Sequence, residues 1–262
     1  MAGIFRDNLL AGKTAYVTGG SSGIGQRMAE RLASQGATVM IQGRDQAKLD
    51  AAVKLIVDAG GKADGISADV RDYAATEAAL ARCQELFGPI DILIAGAAGN
   101  FPAPALGMSS NGFKAVMDID LLGSFNLCRA AHQFLRKPGA SVIAISAGQA
   151  QAPTAFQSHV CAAKAGVEML MQCLALEWGK DGIRLNCITP GPTDDTEGMR
   201  RLAPSEEHRA KVLRGVPLGR LGNRDELADL ALFLSTEAAS YITGSIFNCD
   251  GGSSIAGRGL TL

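Results

Sequence analysis

The sequence contains few aromatic residues and no paired-cysteine motif. Phenylalanine, tryptophan and tyrosine make up 5% of its 262 residues, and only three residues are tyrosines. A core with so few rings must be built from aliphatic side chains, alanine and glycine. The six cysteines show no C-x-x-C spacing, and several lie within apolar stretches. This pattern indicates reduced core residues of a cytoplasmic protein and gives no reason to expect a metal site.

Long apolar runs and a strong net charge are also absent. No apolar stretch reaches the length of about 18 residues that a membrane-spanning helix needs. The first ten residues lack the apolar centre of a secretory leader, and the last three, Leu260, Thr261 and Leu262, differ from the peroxisomal Ser-Lys-Leu address. The formal net charge of −1 gives no field that would attract nucleic acid or an anionic membrane. The expected partner is therefore a small molecule.

A glycine-rich stretch near the start of the chain lies between an apolar run and an amphipathic one. Residues 15–17 are apolar, as in a buried strand, the spacing T-G-x-x-x-G-x-G follows over residues 18–25, and helical periodicity begins there. A helix N-terminus presents unpaired N–H groups, and glycines allow a phosphate to approach the backbone. This order predicts a dinucleotide site, whereas a lone glycine cluster would fit a tight turn equally well. The residues predicted to contact the coenzyme are Gly19, Ser21, Ser22, Gly23, Ile24 and Gly25.

Strand-like and helical segments alternate along the rest of the chain. The predicted strands are residues 15–18, 38–41, 63–70, 90–95, 141–146, 183–188 and 245–249. The predicted helices are residues 23–35, 45–59, 73–87, 111–136, 156–178 and 225–234. Parallel neighbours need helical crossovers, so this order predicts one α/β domain over residues 1–262, a doubly wound parallel sheet of about seven strands with helices on both faces.

The end of the second predicted strand indicates which coenzyme is used. NAD sites place a carboxylate there for the ribose hydroxyls, but the sequence is Gln42-Gly43-Arg44. Arg44 is suited to pair with a 2′-phosphate, which favours NADP(H), although a solvated arginine ahead of a helix is the alternative. Asp69 and Val70, after the third strand, are predicted to contact adenine, unless Asp69 only forms a turn.

Five short motifs together resemble one enzyme family. TGGSSGIG (18–25), Asp69-Val70, AGAAG (95–99), Lys164 within AAKAGV, and ITPGPT (188–193) are similar to the short-chain dehydrogenase/reductase family over essentially the whole chain. The resemblance implies a Rossmann-like fold, a homotetramer, and a lysine, Lys164, on the nicotinamide ribose. It also implies coenzyme contacts from Ala97, Pro190, Gly191 and Thr193, the last three beside the nicotinamide carboxamide.

The catalytic positions depart from that family's pattern. The usual tyrosine, four residues before Lys164, is Val160; the usual serine is Ala147; and the asparagine of the preceding helix is Asp120. A ketone reductase protonates an alkoxide with a phenol, whose pKa of about 10 is lowered by the lysine. Without that phenol, either the protein no longer reduces ordinary carbonyl groups or its substrate does not need so strong an acid at that place. A conjugated thioester fits the second case, because the dienolate formed by hydride addition needs only a few hydrogen-bond donors.

A narrower resemblance agrees with this chemistry. AAGNF (97–101), QSH (157–159), AAKAGVEML (162–170), ALEWG (175–179), IRLN (183–186) and PGPTDDTEGMRRL (190–202) are similar to the 2,4-dienoyl-CoA reductases, especially the peroxisomal type. In that group the tyrosine is also missing, and an aspartate and the lysine carry the chemistry. The resemblance therefore implies an acyl-CoA substrate and assigns catalysis to Asp120 and Lys164.

Each candidate also has an ordinary structural interpretation. Lys164 would otherwise be a surface lysine whose stem covers an apolar helix face. Asp120 lies in an apolar helical run and needs a partner, for which Lys164 is the candidate, while a structural cap is the alternative. Ser146 is predicted to donate to the thioester oxygen. The residues predicted to contact substrate are Asn100, Phe101, Ser146, Gln157 and His159, with loop packing or core burial as the alternative for each.

Residues 190–222 contain prolines and charges without a clear period, which predicts a mobile flap over the substrate. Met199 and Leu202 would cover an acyl chain. The basic residues of the segment would attract CoA phosphates, unless they form a solvated helix face. They are Arg200, Arg201, Arg209, Lys211 and Arg214.

These observations lead to one main functional hypothesis and two alternatives. The main hypothesis is NADPH-dependent reduction of a conjugated double bond in an acyl-CoA. The first alternative is reduction or oxidation of another substrate, such as a 3-oxoacyl thioester or a cyclic enone, by the same altered site. The second is an NADP(H)-binding protein that has lost catalysis, although the retained Lys164 argues against it.

Overall fold

A computed structural model describes residues 5–256, with the side chains of residues 201 and 202 excepted. The strands are β1 (Thr14–Thr18), β2 (Thr38–Gly43), β3 (Lys62–Ser67), β4 (Ile92–Ala95), β5 (Ser141–Ile145), β6 (Arg184–Pro190) and β7 (Ile246–Cys249). The helices are α1 (Gly23–Ser34), α2 (Gln46–Asp58), α3 (Tyr73–Phe87), α4 (Ser110–Val116), α5 (Gly123–Ala131), α6 (Ser158–Trp178), α7 (Glu197–Leu202), α8 (Glu206–Arg214) and α9 (Arg224–Leu234).

The strands form one parallel sheet in the order β3-β2-β1-β4-β5-β6-β7. The chain winds outward from β1 in one direction and then returns to continue from β4 in the other. The strand order therefore reverses between β1 and β4, which places a crevice at the carboxyl ends of these two strands. The predicted doubly wound, Rossmann-like fold is confirmed.

Successive side chains along each strand alternate between the two faces of the sheet, so each face has its own part of the hydrophobic core. In β1, Ala15 and Val17 pack with α1, α2 and α9, whereas Tyr16 packs with α3, α5 and α6. The same alternation recurs in β2 and β4, since successive side chains of a strand point to opposite faces. In β1, β4 and most of β5 both faces are buried, which explains why these strands are mainly apolar, whereas the edge strand β3 is partly exposed and contains Lys62 and Asp64.

The region predicted as one long helix over residues 111–136 is interrupted. Between α4 and α5 the chain forms a π-helical turn, Met117–Leu122, which contains Asp120. Helical periodicity in a sequence does not reveal a single wide turn of this kind, and such turns are frequent at functional sites. The helix also ends at Ala131, because the following residues instead bring Leu135 against Ile90 beside the sheet.

The segment 190–222 contains the two short helices α7 and α8. Thr196 and Ser205 begin these helices, each accepting a backbone N–H on its side-chain oxygen. Such caps suit Thr and Ser because a short side-chain oxygen satisfies an unpaired N–H of the first turn. Within residues 5–256, no helix combines the length and the apolar character needed to cross a bilayer.

Candidate active site

A cleft of about 620 Å³ opens at the carboxyl ends of β1 to β4. It lies at the switch point of the sheet, where doubly wound folds bind ligands. Nine residues predicted to contact the coenzyme line this cleft. They are Gly19, Ser21, Ser22, Ile24, Gly25, Arg44, Asp69, Val70 and Ala97.

The glycines of the first turn let three backbone segments approach closely. A Cβ atom on Gly25 would lie 2.5 Å from the carbonyl oxygen of Gly19. A Cβ atom on Gly19, whose φ is +69°, would lie 2.6 Å from the carbonyl oxygen of Gly96. Any side chain at either position would push these segments apart, so the turn requires glycine here.

The N-terminus of α1 is left free for an anion. Ser22, its N-cap residue, makes no side-chain hydrogen bond to the helix, and no acidic residue lies in the first turn. By contrast, α2 and α3 are capped by the carboxylates of Asp45 and Asp72. The unpaired N–H groups and positive dipole end of α1 therefore fit a dinucleotide pyrophosphate.

Positive charge dominates the cleft at the end of β2. Arg44 and Lys48 both line it. Asp45 lines it as well, but its Oδ1 accepts a hydrogen bond from the Lys48 backbone N–H at 3.2 Å, which ties this carboxylate to the start of α2. Lys48 Nζ also lies 3.8 Å from Asp45 Oδ2, so the cleft presents two cations and one carboxylate at the end of β2.

Asp69 lines the cleft after β3, but its carboxylate is already engaged. It accepts hydrogen bonds from Nε and Nη2 of Arg71, the shortest at 2.6 Å. These bonds hold the pKa of the Asp69 carboxyl below its usual value. The backbone N–H of Arg71 also donates to Asp69 Oδ1 at 3.0 Å, and contact of Asp69 with adenine stays a prediction.

A second cavity of about 630 Å³ adjoins the cleft, and we call it the reaction pocket. Ile24, Ala98, Ile145 and Thr196 line both cavities, so the two are continuous. Besides Ile24, seven predicted site residues line the reaction pocket. They are Asn100, Asp120, Ser146, Lys164, Pro190, Gly191 and Thr193.

Asp120 and Lys164 form a buried pair in the reaction pocket. Lys164 Nζ lies 3.2 Å from Asp120 Oδ2, and the two side chains are 8% and 1% exposed. The ammonium donates a hydrogen bond to the Ile145 carbonyl oxygen at 2.9 Å, while Asp120 Oδ1 accepts from the Gly99 N–H at 2.7 Å. Asp120 Oδ2 has an ion-pair contact but no aligned hydrogen bond within the described residues. This oxygen can therefore accept a hydrogen bond from a ligand.

Val160 and Ala147, which with Asp120 are the three departures from the family pattern, also line the reaction pocket. Val160 lies one helical turn before Lys164 on α6, and Ala147 follows the end of β5. Neither side chain can transfer a proton. In this part of the pocket, the charged side chains are those of Asp120 and Lys164.

Comparison with known proteins decides the family. A sequence profile described as "Enoyl-(Acyl carrier protein) reductase" matches residues 19–254. The chain belongs to the short-chain dehydrogenase/reductase family. A solved dehydrogenase/reductase of this fold from Sinorhizobium meliloti is 34% identical and has a TM-score of 0.88, with 94% of this chain and 97% of that chain covered.

Two relatives agree with the narrower resemblance. The peroxisomal 2,4-dienoyl-CoA reductase of Saccharomyces cerevisiae, described as (3E)-enoyl-CoA-producing, is 42% identical over 254 residues, covering 95% of this chain and 87% of the relative. The probable 2,4-dienoyl-CoA reductase of Bacillus subtilis, described as (2E)-enoyl-CoA-producing, is 42% identical over 243 residues, covering 92% and 96%. The predicted similarity to this group of short-chain dehydrogenases/reductases is confirmed.

Four residues predicted for the site lie outside the linings of both cavities: Gly23, Phe101, Gln157 and His159. His159 is fully buried, its ring centroid is 4.6 Å from that of Phe101, and neither ring nitrogen has a hydrogen-bond partner among residues 5–256. Gln157 is buried and accepts from Gln149 at 2.9 Å. Contact of Phe101, Gln157 and His159 with substrate, and of Gly23 with the coenzyme, stays a prediction.

Sequence reasoning missed two charged residues of this short-chain dehydrogenase/reductase. Lys48 lies one helical turn after Arg44, and Glu168 one turn after Lys164. Glu168 is buried and accepts a hydrogen bond from Ser146, a residue of the reaction pocket. The signal available in the sequence was a second charge spaced four residues from Lys164 on a helix face that is otherwise apolar.

Proposed function

We propose that this protein uses NADPH to reduce the conjugated double bond system of a 2,4-dienoyl-CoA. The observation that carries the proposal is the buried Asp120–Lys164 pair, 3.2 Å apart, beside a valine where a ketone reductase needs a phenol. The names of the relatives support the same substrate class. A conjugated thioester fits because its reduced product is a delocalised anion.

The residues of the cleft fit NADPH. The free N-terminus of α1 receives the pyrophosphate, and Arg44 and Lys48 receive the 2′-phosphate. Lys164, with one N–H directed to the Ile145 carbonyl, retains donors for the nicotinamide ribose and the pocket. When bound, NADPH supplies the hydride. Ile24, Ala98 and Ile145 line both cavities and form the apolar passage from the cleft into the reaction pocket.

Lys164 and Asp120 divide the remaining chemistry. The Lys164 ammonium is buried, so its positive charge acts strongly on negative charge developing at the thioester oxygen. Asp120 Oδ2 would orient a water molecule that gives one proton to the carbon of the dienolate, and the hydroxide left behind would take a proton from solvent. Asp120 also holds the ammonium in place, because removing either partner would leave a buried charge unpaired.

The segment 190–222 acts as the substrate flap in this proposal. Met199 on α7 and Val212 on α8 line the reaction pocket from that side, where an acyl chain would contact them. Arg209 is paired with Asp194 at 2.6 Å and Arg200 with Asp195 and Glu197, and the side chain of Arg201 lies outside the described residues. Lys211 and Arg214, which have no ion pair among the described residues, are therefore the residues that attract the phosphates of CoA.

The functional unit is proposed to be a homotetramer in the cytoplasm. One face of α6 supports assembly with further copies, because Ala162, Ala165, Met169, Cys173 and Leu176 follow one another at helical spacing and are exposed, Leu176 by 87%. Light scattering should give the mass of four chains, and Leu176→Glu should reduce it. Reduced cysteines suit the cytoplasm, and fractionation of the source cells tests that location.

A substrate panel tests the reaction. Loss of the dienoyl absorbance should require NADPH, whereas 3-oxoacyl-CoA, a cyclic enone and an enoyl thioester of acyl carrier protein should turn over at least about 100-fold more slowly. Asp120→Asn should lower kcat about 100-fold and change the NADPH dissociation constant less than about twofold.

The outcomes separate the alternatives. Efficient turnover of the 3-oxoacyl thioester or the enone in place of the dienoyl thioester would replace the proposed substrate. NADPH binding without turnover of any panel member would indicate that catalysis has been lost. Unchanged kcat in Asp120→Asn would remove Asp120 from the mechanism.

A further inference from the structure

Glu168 is a buried carboxylate next to the reaction pocket that the proposed mechanism does not use. It is 7% exposed, and its Oε1 accepts hydrogen bonds from Ser146 Oγ at 2.6 Å, Thr189 Oγ1 at 3.2 Å and Gln151 Nε2 at 3.3 Å. No lysine, arginine or histidine nitrogen among the described residues lies within 4 Å of it. A buried carboxylate supported only by neutral groups is costly, which indicates a specific role.

The hydrogen bonds to Glu168 determine where two hydroxyl protons point. Each hydroxyl has a single proton, and Oε1 of Glu168 is the acceptor in both bonds. The protons of Ser146 and Thr189 are both directed to Glu168. Both residues line the reaction pocket, so any contact that their hydroxyl oxygens make with a ligand there uses lone pairs and not protons. Ser146 is then unavailable as a donor to a thioester oxygen.

The position of Ser146 shows which ligand group meets these lone pairs. Ile145, its neighbour, is one of the residues shared by the cleft and the reaction pocket. A nicotinamide that enters from the cleft must therefore pass Ile145 and lie near Ser146 and Thr189. The carboxamide of that ring carries two N–H donors, whereas the dienoyl part of the substrate carries none.

We propose that Glu168 is a positioning residue that makes the Ser146 and Thr189 hydroxyls hydrogen-bond acceptors for the nicotinamide carboxamide. This inference rests on the proposed use of a nicotinamide coenzyme. By holding the carboxamide, the two hydroxyls fix the rotation of the ring, and hence the face from which hydride leaves. Without Glu168 the hydroxyl protons are free to turn toward the pocket, where they would oppose the N–H groups of the coenzyme.

The test compares NADPH with its analogue that has an acetyl group in place of the carboxamide and so lacks the N–H donors. Dissociation constants are measured by calorimetry, without acyl-CoA. Glu168→Met should weaken NADPH binding about 10-fold and binding of the analogue less than about twofold, because only NADPH loses hydrogen bonds. Glu168→Gln keeps a carbonyl oxygen for the hydroxyls and should stay within about threefold of the parent protein.

Two controls separate this role from general stability. Glu177→Met makes the same change at an exposed position of α6 and should leave both dissociation constants unchanged. If Glu168→Met does not fold, Ser146→Ala replaces it, and it should weaken NADPH about threefold and leave the analogue unaffected. Thermal unfolding establishes that each variant is folded.

Equal weakening of both coenzymes in a folded Glu168→Met protein would overturn the proposal, as would unchanged NADPH affinity with an altered KM for acyl-CoA. The test does not depend on the substrate. A protein that shows the expected difference in coenzyme binding but does not reduce dienoyl-CoA would refute the proposed reaction alone. If NADH proves to be the coenzyme, the same comparison is made with NADH and its acetyl analogue.

Discussion

The coenzyme cleft and the reaction pocket have similar volumes, about 620 and 630 Å³, but are built by different means. The cleft binds largely through backbone, at the close-packed Gly19 and Gly25 and the free N-terminus of α1. The reaction pocket presents side chains, above all the Asp120–Lys164 pair. The departures from the family pattern are in the reaction pocket, while the glycine turn of the cleft is kept.

This difference shows how one fold changes its chemistry. A backbone site admits few substitutions, because any Cβ at Gly25 meets a carbonyl oxygen at 2.5 Å. A side-chain site can exchange a phenol for a valine without disturbing the sheet, since Val160 packs with Val116 and Ala163. A fold built in this way can keep its coenzyme turn while the side chains of the reaction pocket change.

The largest expected effect comes from Lys164→Met, which acts on the pocket. It keeps the apolar stem but leaves Asp120 buried without its cation, so kcat/KM for dienoyl-CoA should fall about 1000-fold. Steady-state kinetics measure this. Lys180→Met, an exposed lysine after α6, is the control and should be unchanged. A fall of less than about threefold would place the chemistry elsewhere.

Gly25→Ala tests the cleft and should have the next largest effect. The added Cβ would displace the Gly19 carbonyl, which lies 2.5 Å from it. NADPH binding should weaken about 30-fold through loss of charge-assisted hydrogen bonds to phosphate. Gly179→Ala adds a Cβ with nothing within 4 Å and should bind NADPH normally. Normal NADPH binding by Gly25→Ala would show that the cleft tolerates a side chain at this position.

Arg44→Ala tests the coenzyme preference with a smaller effect. NADPH affinity should fall about 10-fold and NADH affinity should stay the same, because only NADPH carries the 2′-phosphate. Raising the salt concentration should shrink the difference, since Arg44 is exposed. Arg82→Ala, an exposed arginine of α3, serves as control. Equal losses for both coenzymes would argue against phosphate recognition by Arg44.

Val160→Tyr combined with Ala147→Ser should have the smallest effect on the proposed reaction. The double variant has a phenol one helical turn before Lys164, so reduction of a 3-oxoacyl thioester should become measurable. Dienoyl reduction should change by less than about fivefold, because the Asp120–Lys164 pair is kept. Val160→Phe with Ala147→Ser adds the ring without its hydroxyl and should give no ketone reduction. Activity in that control would mean that the phenol is not required.

The parts of this protein that were predictable are contiguous in sequence. The glycine turn and its flanking strand and helix lie within residues 14–34, so apolar run, glycine spacing and helical period could be read together. The alternation of strands and helices determined a parallel sheet for the same reason, because each crossover is a local unit. Lys164 and Asp120 were found because each occupies a position that the family pattern defines.

The parts that could not be predicted depend on atoms brought together from distant segments. A period of 3.6 residues does not reveal the π-helical turn that carries Asp120. Glu168 was missed because its three partners, Ser146, Gln151 and Thr189, are separated from it by 17 to 22 residues. Burial of His159, away from both cavities, was equally invisible in the sequence.

By itself the sequence determined the sheet, the coenzyme turn and the absence of a phenol at position 160, since each depends on neighbouring residues or on the identity of one side chain. Only the tertiary structure decided that Lys164 lies 3.2 Å from Asp120 and that Glu168 directs two hydroxyl protons. The physical reason is that hydrogen-bond direction and charge pairing are set by distances of a few ångströms between elements. Local propensity constrains the elements, but packing sets those distances.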